Sequence, residues 1–193
     1  MDTEMDEITD KKRFGSKKFI FELFDLIVYV LIIFTITYIV LCFVEQRTDV
    51  DGNSMYSTLS SGDSVFVDKV SYRFKNPERF DIVIFEYLHT EDTYYIKRII
   101  GLPGETVQII DGYVYIDGAL LDTDVYGYET INDPGLAANP ITLGEDEYFV
   151  LGDNRNGSTD SRREAVKNVQ KDQIIGKAFM RIWPLKNIKL LTH

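Results

Sequence analysis

Ser54, in the segment DGNSMYSTL from Asp51 to Leu59, is the first side chain in this sequence that raises a chemical question. Its hydroxyl could be a nucleophile, but glycine, asparagine and serine also cluster in ordinary turns, because they tolerate positive φ or bond to their own backbone. Taken alone, the segment favours a turn. A serine hydroxyl becomes a good nucleophile only when a neighbouring group removes its proton, so a base must be found elsewhere in the chain.

Histidine offers little choice of base, because the chain contains only His89 and His193. His89 lies in the sequence LHTED, which is typical of a surface loop. A lysine can replace histidine if burial among apolar groups lowers the pKa of its ammonium group from about 10.4 towards neutrality. The search is therefore for a lysine on an apolar face of a strand.

Lys97, in YYIKRIIGLPGE, is the best such lysine. Alternation along a strand places Lys97 on one face with Tyr95 and Ile99, and places Arg98 on the other face, towards solvent or a carboxylate. An exposed charge on an edge strand is an equally good interpretation of Lys97 on this evidence. Lys69 is a weaker rival, because the neighbouring aspartates indicate an exposed strand end.

A third polar segment, GDNRNGSTDSRR, extends from Gly152 to Arg163 after an apolar run. Its composition favours a polar loop with side-chain-to-backbone turns. The functional interpretation uses the hydroxyl of Ser158 or Ser161 to orient a lysine amine. In that interpretation Asp153, Asp160 and Arg162 form ion pairs that hold the loop.

The longest apolar run, Leu26–Val44, contains nineteen residues without a charge and predicts a transmembrane helix over residues 19–44. A retained anchor is favoured over a cleaved signal peptide, because LCFVEQRT lacks a small-x-small site. Lysine and arginine are concentrated before the run, with only Arg47 just beyond it. This bias predicts a cytoplasmic tail over residues 1–18 and an extracytoplasmic domain over residues 45–193, with the lipid bilayer of the cell membrane as a partner.

The residues after the apolar run predict a mainly β, antiparallel domain. Runs of β-branched and aromatic residues predict strands at 63–70, 80–87, 93–100, 105–110, 113–117, 147–154 and 173–184. Asp-Gly pairs at 111–112 and 117–118 predict hairpins. Residues 105–146 are expected to form a small insertion that is irregular from 122 to 145, and a short helix is expected near Val166–Asp172.

Composition excludes several classes of protein. A net charge of −10 argues against a nucleic-acid partner, because phosphate binding needs clusters of lysine and arginine. The single cysteine, Cys42, lies inside the apolar run, so neither an intrachain disulfide nor a zinc–thiolate site is expected. The position of Cys42 also argues against a sortase, which needs an exposed cysteine with a histidine. No metal and no other cofactor is predicted.

The order of the segments resembles that of the type I bacterial signal peptidases, in their Gram-positive form. An apolar anchor is followed by GNSMYSTL, GDSVFVDK, YYIKRIIGLPGE and GDNRNGSTDSR, and the resemblance covers nearly the whole chain from Phe19 onward. It implies a coiled antiparallel β fold shared with LexA-like autoproteases. It also implies a serine endopeptidase that removes signal peptides from exported preproteins after small-x-small sites.

The resemblance implies a role for each matching residue. Ser54 corresponds to the nucleophile and Lys97 to the general base, while Ser158 corresponds to the hydroxyl that bonds the lysine amine. Residues expected to support the site are Gly152, Asp153, Asp160 and Arg162. Residues expected to form shallow apolar pockets for small substrate side chains are Val50, Met55, Leu59, Tyr95 and Ile96.

Two positions depart from the family pattern. Gly52 stands where Gram-negative members carry a serine that adds a hydroxyl to the oxyanion hole, although glycine is familiar there in the Gram-positive branch. Ser57 stands where the family usually has proline, which would fix φ near −65° after the nucleophile. The alternatives are a catalytically impaired homologue that acts as a binding or assembly module and a LexA-like self-cleaving regulator. The membrane anchor argues against the regulator.

Overall fold

A computed structural model of the protein describes residues 21–38, 45–90 and 92–191. The chain divides into two compact units, Met1–Phe43 and Val44–His193. In the first unit, the helix α1 (Phe21–Tyr38) is long and apolar enough to cross a membrane, judged by length and composition. The predicted tail at 1–18, the ends of the predicted span at 19–20 and 39–44, and His193 lie outside the described residues.

The described part of the second unit is built almost entirely from short β-strands. The strands are β1 (Glu45–Asp49), β2 (Ser64–Asp68), β3 (Ile82–Glu86), β4 (Tyr94–Gly101), β5 (Thr106–Ile110), β6 (Tyr113–Ile116), β7 (Ala119–Leu120), β8 (Ile141–Thr142), β9 (Glu147–Leu151), β10 (Val169–Gln170), β11 (Ile174–Trp183) and β12 (Lys189–Leu190). Four short 3-10 helices occur at Ser71–Arg73, Gly135–Ala138, Lys171–Gln173 and Leu185–Asn187.

These strands form two antiparallel sheets. The larger sheet has the order β1-β2-β11-β3-β4-β9-β10, with β12 paired to β11, and the smaller has the order β7-β6-β5-β8. The prediction of a mainly β, antiparallel fold is confirmed. Both hairpins predicted from Asp-Gly pairs also form, joining β5 to β6 and β6 to β7. In each pair the aspartate and the glycine have positive φ, as a tight hairpin turn requires.

The strand β4 is central in the larger sheet. It pairs with β3 on one side, with Val83 opposite Lys97, and with β9 on the other, with Leu151 opposite Arg98. A lysine in a central strand cannot be a charge that protects a sheet edge. The edge interpretation of Lys97 is therefore wrong.

The strand β1 shows no apolar alternation, because its sequence is EQRTD. It forms because its backbone pairs with β2, with Asp49 opposite Ser64. The pairing continues past the strand end, where the Val50 N–H donates to the Asp63 carbonyl at 2.8 Å. This register fixes the start of the segment that carries Ser54.

The short helix predicted near Val166–Asp172 is wrong. Val169 and Gln170 instead form β10, where Val169 is buried opposite Tyr148 of β9. A 3-10 turn follows at Lys171–Gln173, and the Gln170 and Gln173 side chains cap each other's backbone. Strand pairing thus buries Val169 in the core, which the local helical propensity of this segment could not indicate.

Candidate active site

Ser54, in the segment between β1 and β2, is in contact with Lys97 of β4. The Lys97 Nζ lies 2.8 Å from the Ser54 Oγ, although the two residues are separated by 43 positions in the sequence. Lys97 is fixed by its place in the central strand β4. Ser54 is fixed by a tight turn, in which the Leu59 N–H donates to the Met55 carbonyl and the Tyr56 N–H to the Asn53 carbonyl.

The Lys97 side chain is only 3% exposed. Its Nζ contacts the Ile96 carbonyl at 2.8 Å and lies 5.0 Å from the centre of the Tyr95 ring. Burial lowers the pKa of Lys97 from 10.5 to about 8, against the opposing influence of the Asp160 and Asp153 carboxylates. A substantial fraction of the amine is therefore neutral just above neutral pH, and a neutral amine can accept the proton of the Ser54 hydroxyl.

The loop from Gly152 to Arg162 holds the Ser54 turn from behind. The Asn154 N–H donates to the Ser54 carbonyl at 3.0 Å, and the Asn154 side-chain amide donates to the Asn53 carbonyl at 3.1 Å. The loop approaches so closely at Gly152 that an added Cβ would lie 2.4 Å from the Ser54 carbonyl oxygen and 2.2 Å from the Ser158 Oγ. Glycine is required at position 152 because no side chain fits between these groups.

Two buried ion pairs support this loop. The Arg98 guanidinium donates to both Asp153 carboxylate oxygens at 2.8 and 2.7 Å, and the two side chains are 2% and 0% exposed. Arg98 therefore reaches a carboxylate rather than solvent. The Arg162 guanidinium likewise donates to Asp160 at 2.8 and 2.9 Å, and Asp160 also accepts from the Gly152 N–H at 3.1 Å.

The predicted hydrogen bond between Ser158 and the Lys97 amine does not form. The Ser158 Oγ is buried and has no hydrogen-bond partner among the described residues. The Lys97 amine instead contacts the Ile96 carbonyl, which takes the place that the serine hydroxyl was expected to fill. The other candidate, Ser161, accepts from the Val150 N–H at 2.9 Å and thus fixes the loop to β9.

A cleft of about 430 Å³ opens beside Ser54 and Lys97. Three of the predicted pocket residues, Val50, Tyr95 and Ile96, line it. Met55 and Leu59 are not among the residues that line the cleft; they are 1% and 0% exposed and belong to a core cluster that also contains Val50 and Ile84. Both lie in the turn after Ser54, where the Leu59 N–H donates to the Met55 carbonyl, so their contact with a substrate stays a prediction.

Several residues of the site were not found from the sequence. Residues of this kind that line the cleft are Thr48, Asp49, Asp51, Asn53, Ile84, Tyr94, Gly157 and Thr159. Gly52, which the family resemblance had already singled out, lines it as well. The insertion also reaches the site, since the Tyr126 ring lies 3.6 Å from the Arg98 guanidinium carbon. The irregular sequence around Tyr126 carries no local signal for this contact. Ile84, by contrast, could have been found from the pairing of β3 with β4.

Comparison with known proteins identifies the family. The model of the family described as "Signal peptidase, peptidase S26" matches residues 23–183. The chain belongs to this signal peptidase family. Membership confirms the prediction of a serine peptidase, a hydrolase, that removes signal peptides from preproteins.

Two similar proteins and one solved structure also carry the name signal peptidase. A protein named "Probable signal peptidase I-2" from Synechocystis sp. is 37% identical over 155 residues, which cover 78% of this chain and 68% of that protein. "Signal peptidase IB" from Staphylococcus aureus is 32% identical over 182 residues, covering 87% and 93%. The crystal structure of a signal peptidase I from Enterococcus faecalis V583 is 35% identical, with a TM-score of 0.45, and covers 53% of this chain and 97% of that one.

Proposed function

We propose that Ser54 and Lys97 form the catalytic dyad with which this protein cleaves signal peptides from preproteins. The observation that carries the proposal is the 2.8 Å contact between a serine hydroxyl and a lysine amine whose burial lowers its pKa to about 8. Serine needs a base within hydrogen-bond distance, and lysine needs burial to be that base. Both conditions are met at one point of the molecule.

The reaction follows from this geometry. The neutral Lys97 amine accepts the Ser54 proton as Oγ attacks the carbonyl carbon of the scissile bond. The resulting ammonium group donates a proton to the nitrogen of the leaving peptide, and the C–N bond breaks to leave an ester on Ser54. Lys97, neutral again, accepts a proton from a water molecule as the water oxygen attacks the ester carbon. The Lys97 ammonium group then returns a proton to the Ser54 Oγ as the ester C–O bond breaks, which releases the signal peptide with a free carboxyl group.

The oxyanion of each tetrahedral intermediate needs hydrogen-bond donors. The Ser54 N–H is proposed as one donor, and no described group accepts a hydrogen bond from it in this structure. Gly52 supplies no hydroxyl, and its φ of +90° lies in a region that favours glycine. Removal of one donor from such a site lowers the rate by roughly 10²–10³-fold where that donor is needed.

We also propose that the cleft selects small side chains on the signal-peptide side of the scissile bond. The walls near Ser54 include the apolar side chains of Val50, Ile84 and Ile96. A shallow apolar pocket rejects large side chains by steric clash and polar ones by the cost of desolvation. This selection fits the small-x-small sites that the family resemblance implies.

The protein is proposed to be anchored in a lipid bilayer by α1 and the apolar run around it. The support is the length and composition of α1 and the excess of lysine and arginine before the run. The positive-inside rule then gives a cytoplasmic N-terminus and an extracytoplasmic catalytic unit, Val44–His193. The cleavage site of an exported substrate would then lie on the same side of the bilayer as Ser54. The mechanism uses no metal ion.

The experiment that tests the dyad measures cleavage of a purified preprotein by the full-length protein in detergent. Ser54→Ala and Lys97→Ala should each remove nearly all activity. The double variant should be little worse, because the two residues act as a unit. Ser57→Ala is the matched control, since Ser57 is an exposed serine in the same turn. Substantial turnover by Ser54→Ala would refute the assignment, and an inactive wild type would favour the impaired homologue.

A further inference from the structure

Two half-exposed tyrosines, Tyr56 and Tyr128, form an aromatic pair on the surface. Tyr56 follows Ser54 by two residues, Tyr128 comes from the insertion, and each is 50% exposed. Their rings pack edge to face, with centroids 5.9 Å apart and an interplanar angle of 85°. Neither tyrosine lines the cleft beside Ser54. The mechanism gives the pair no role.

The insertion is held firmly where it presents Tyr128. Arg155 lies in the loop from Gly152 to Arg162 and donates to both Asp124 carboxylate oxygens at 2.7 and 2.8 Å. The Arg155 and Asp124 side chains are 4% and 7% exposed. The contact is close, because a Cβ on Gly127 would lie 2.8 Å from the Arg155 guanidinium. On the other side of Tyr128, the Asn156 amide donates to the Glu129 carboxylate at 2.9 Å. Tyr128 is thus placed by the same loop that places Ser54.

The position of the tyrosine pair, outside the cleft, bears on the part of the substrate that follows the scissile bond. The cleft is lined mainly by residues 48–54, which precede or include Ser54, and by the first residues of β4, with Ile84, Gly157 and Thr159 completing it. If the signal-peptide side of the substrate occupies this cleft, the chain beyond the scissile bond must leave on the opposite side of Ser54. Tyr56, two residues after Ser54 in the sequence, packs against Tyr128 of the insertion, and neither residue belongs to the lining of the cleft.

We propose that Tyr56 and Tyr128 bind the first residues of the mature protein, on the leaving side of the scissile bond. This inference rests on the proposed function and adds a specificity determinant to it. Exposed aromatic faces with restricted side-chain freedom gain most from contact with aliphatic or aromatic side chains. Preproteins with such a residue in the first mature positions are therefore the preferred substrates.

The test compares two substrates that share one signal-peptide sequence. The long substrate continues for several mature residues and includes a leucine among them, whereas the short one ends in a small fluorogenic amine at the scissile bond. We measure kcat/KM on both substrates for the full-length wild type, Tyr56→Ala, Tyr128→Ala and Tyr128→Phe. Phe74→Ala is the control, because Phe74 is an aromatic residue that is 83% exposed and lines neither the cleft nor the pocket beside Tyr128.

Tyr56→Ala and Tyr128→Ala should lower kcat/KM for the long substrate by roughly two- to tenfold, the size expected for a lost aromatic contact, and leave the short substrate unchanged. Tyr128→Phe should retain the wild-type preference, and Phe74→Ala should have no effect. Equal losses on both substrates, or no loss on either, would overturn the inference. Loss of the proposed function is distinguishable, because the short substrate would then not be cleaved at all.

Discussion

As the proposed base, Lys97 has to meet two demands that conflict in water: its amine must be close to Ser54, at the observed 2.8 Å, and must be neutral there. Burial resolves the conflict, because desolvation disfavours the ammonium form more than the Asp153 and Asp160 carboxylates favour it. The two buried carboxylates are themselves neutralised by Arg98 and Arg162. Each of the two carboxylates thus has a buried counter-charge of its own.

Replacement of Lys97 with methionine should stabilise the protein at neutral pH. The pKa of Lys97 is about 8 in the folded state and 10.5 in the unfolded state, so the unfolded state binds the proton more tightly. The penalty, on the order of 3 kcal/mol, is fully present below pH 8 and disappears as the pH rises from 8 to 10.5. Urea unfolding of wild type and Lys97→Met at pH 7 and pH 10 measures it. A stability difference that does not shrink at pH 10 would contradict the burial argument.

The sequence could predict that Ser54 and Lys97 lie together, but not all of the contacts around them. Ser54 and Lys97 could be paired because the chain is poor in histidine and because the order of its motifs is specific. The position of the Ser158 hydroxyl depends on a side-chain rotation, which residue types do not determine. Burial of Met55 and Leu59 likewise depends on the direction of a turn that has no strand alternation.

At the scale of elements, the central feature is the close contact between the Ser54 turn and the loop from Gly152 to Arg162. The strand β4 provides Lys97 and Arg98 to opposite sides of the sheet, and β9 leads directly into the loop. Buried charges and backbone hydrogen bonds join these parts. Small changes in the loop should therefore move the nucleophile.

Gly152→Ala should lower kcat/KM by about 10²-fold, since displacement of a reacting group by about 1 Å has effects of that size. The added Cβ would collide with the Ser54 carbonyl oxygen, at 2.4 Å, and with the Ser158 Oγ. Gly144→Ala is the control, because a Cβ there meets nothing nearer than 3.4 Å. Full activity of Gly152→Ala would show that the close approach has no role in positioning Ser54.

Asp153→Asn should destabilise the folded protein by about 3 kcal/mol, because it leaves the buried Arg98 guanidinium without its counter-charge. Glu164→Gln removes an ion pair with Lys167 in which both side chains are more than 60% exposed. Its expected effect is below about 1 kcal/mol. Thermal unfolding of both variants gives the comparison. Equal effects of the two substitutions would contradict the assignment of Arg98 and Asp153 as a supporting pair.

Strands with apolar alternation could be predicted, and those held only by pairing could not. β2, β3, β4, β5, β6, β9 and β11 all lie within or next to predicted ranges. β1 was missed because EQRTD has no apolar face, and its position depends on the register with β2. The short strand β10 was missed because two residues carry too little pattern. The contact of the insertion with Arg98 is tertiary and has no local signature.

At the scale of the whole molecule, the proposed topology determines where cleavage takes place. The prediction uses single-cysteine variants in a Cys42→Ala background, since Cys42 is the only cysteine. In intact cells a membrane-impermeant maleimide should label Thr90→Cys, at an exposed position in the catalytic unit, and should leave Asp2→Cys unlabelled. Permeabilised cells should show labelling of both variants. The reverse pattern in intact cells would invert the proposed orientation.

The most direct test of the central claim, that neutral Lys97 is the base for Ser54, is the pH dependence of kcat/KM on one preprotein substrate. The rate should rise with pH through a single ionisation near pH 8 and level off above it, because only the deprotonated amine accepts the serine proton. The exposed His89 should not contribute, so His89→Ala should give the same profile. A flat profile between pH 6 and pH 9.5, or a rate that falls as the amine loses its proton, would contradict the account.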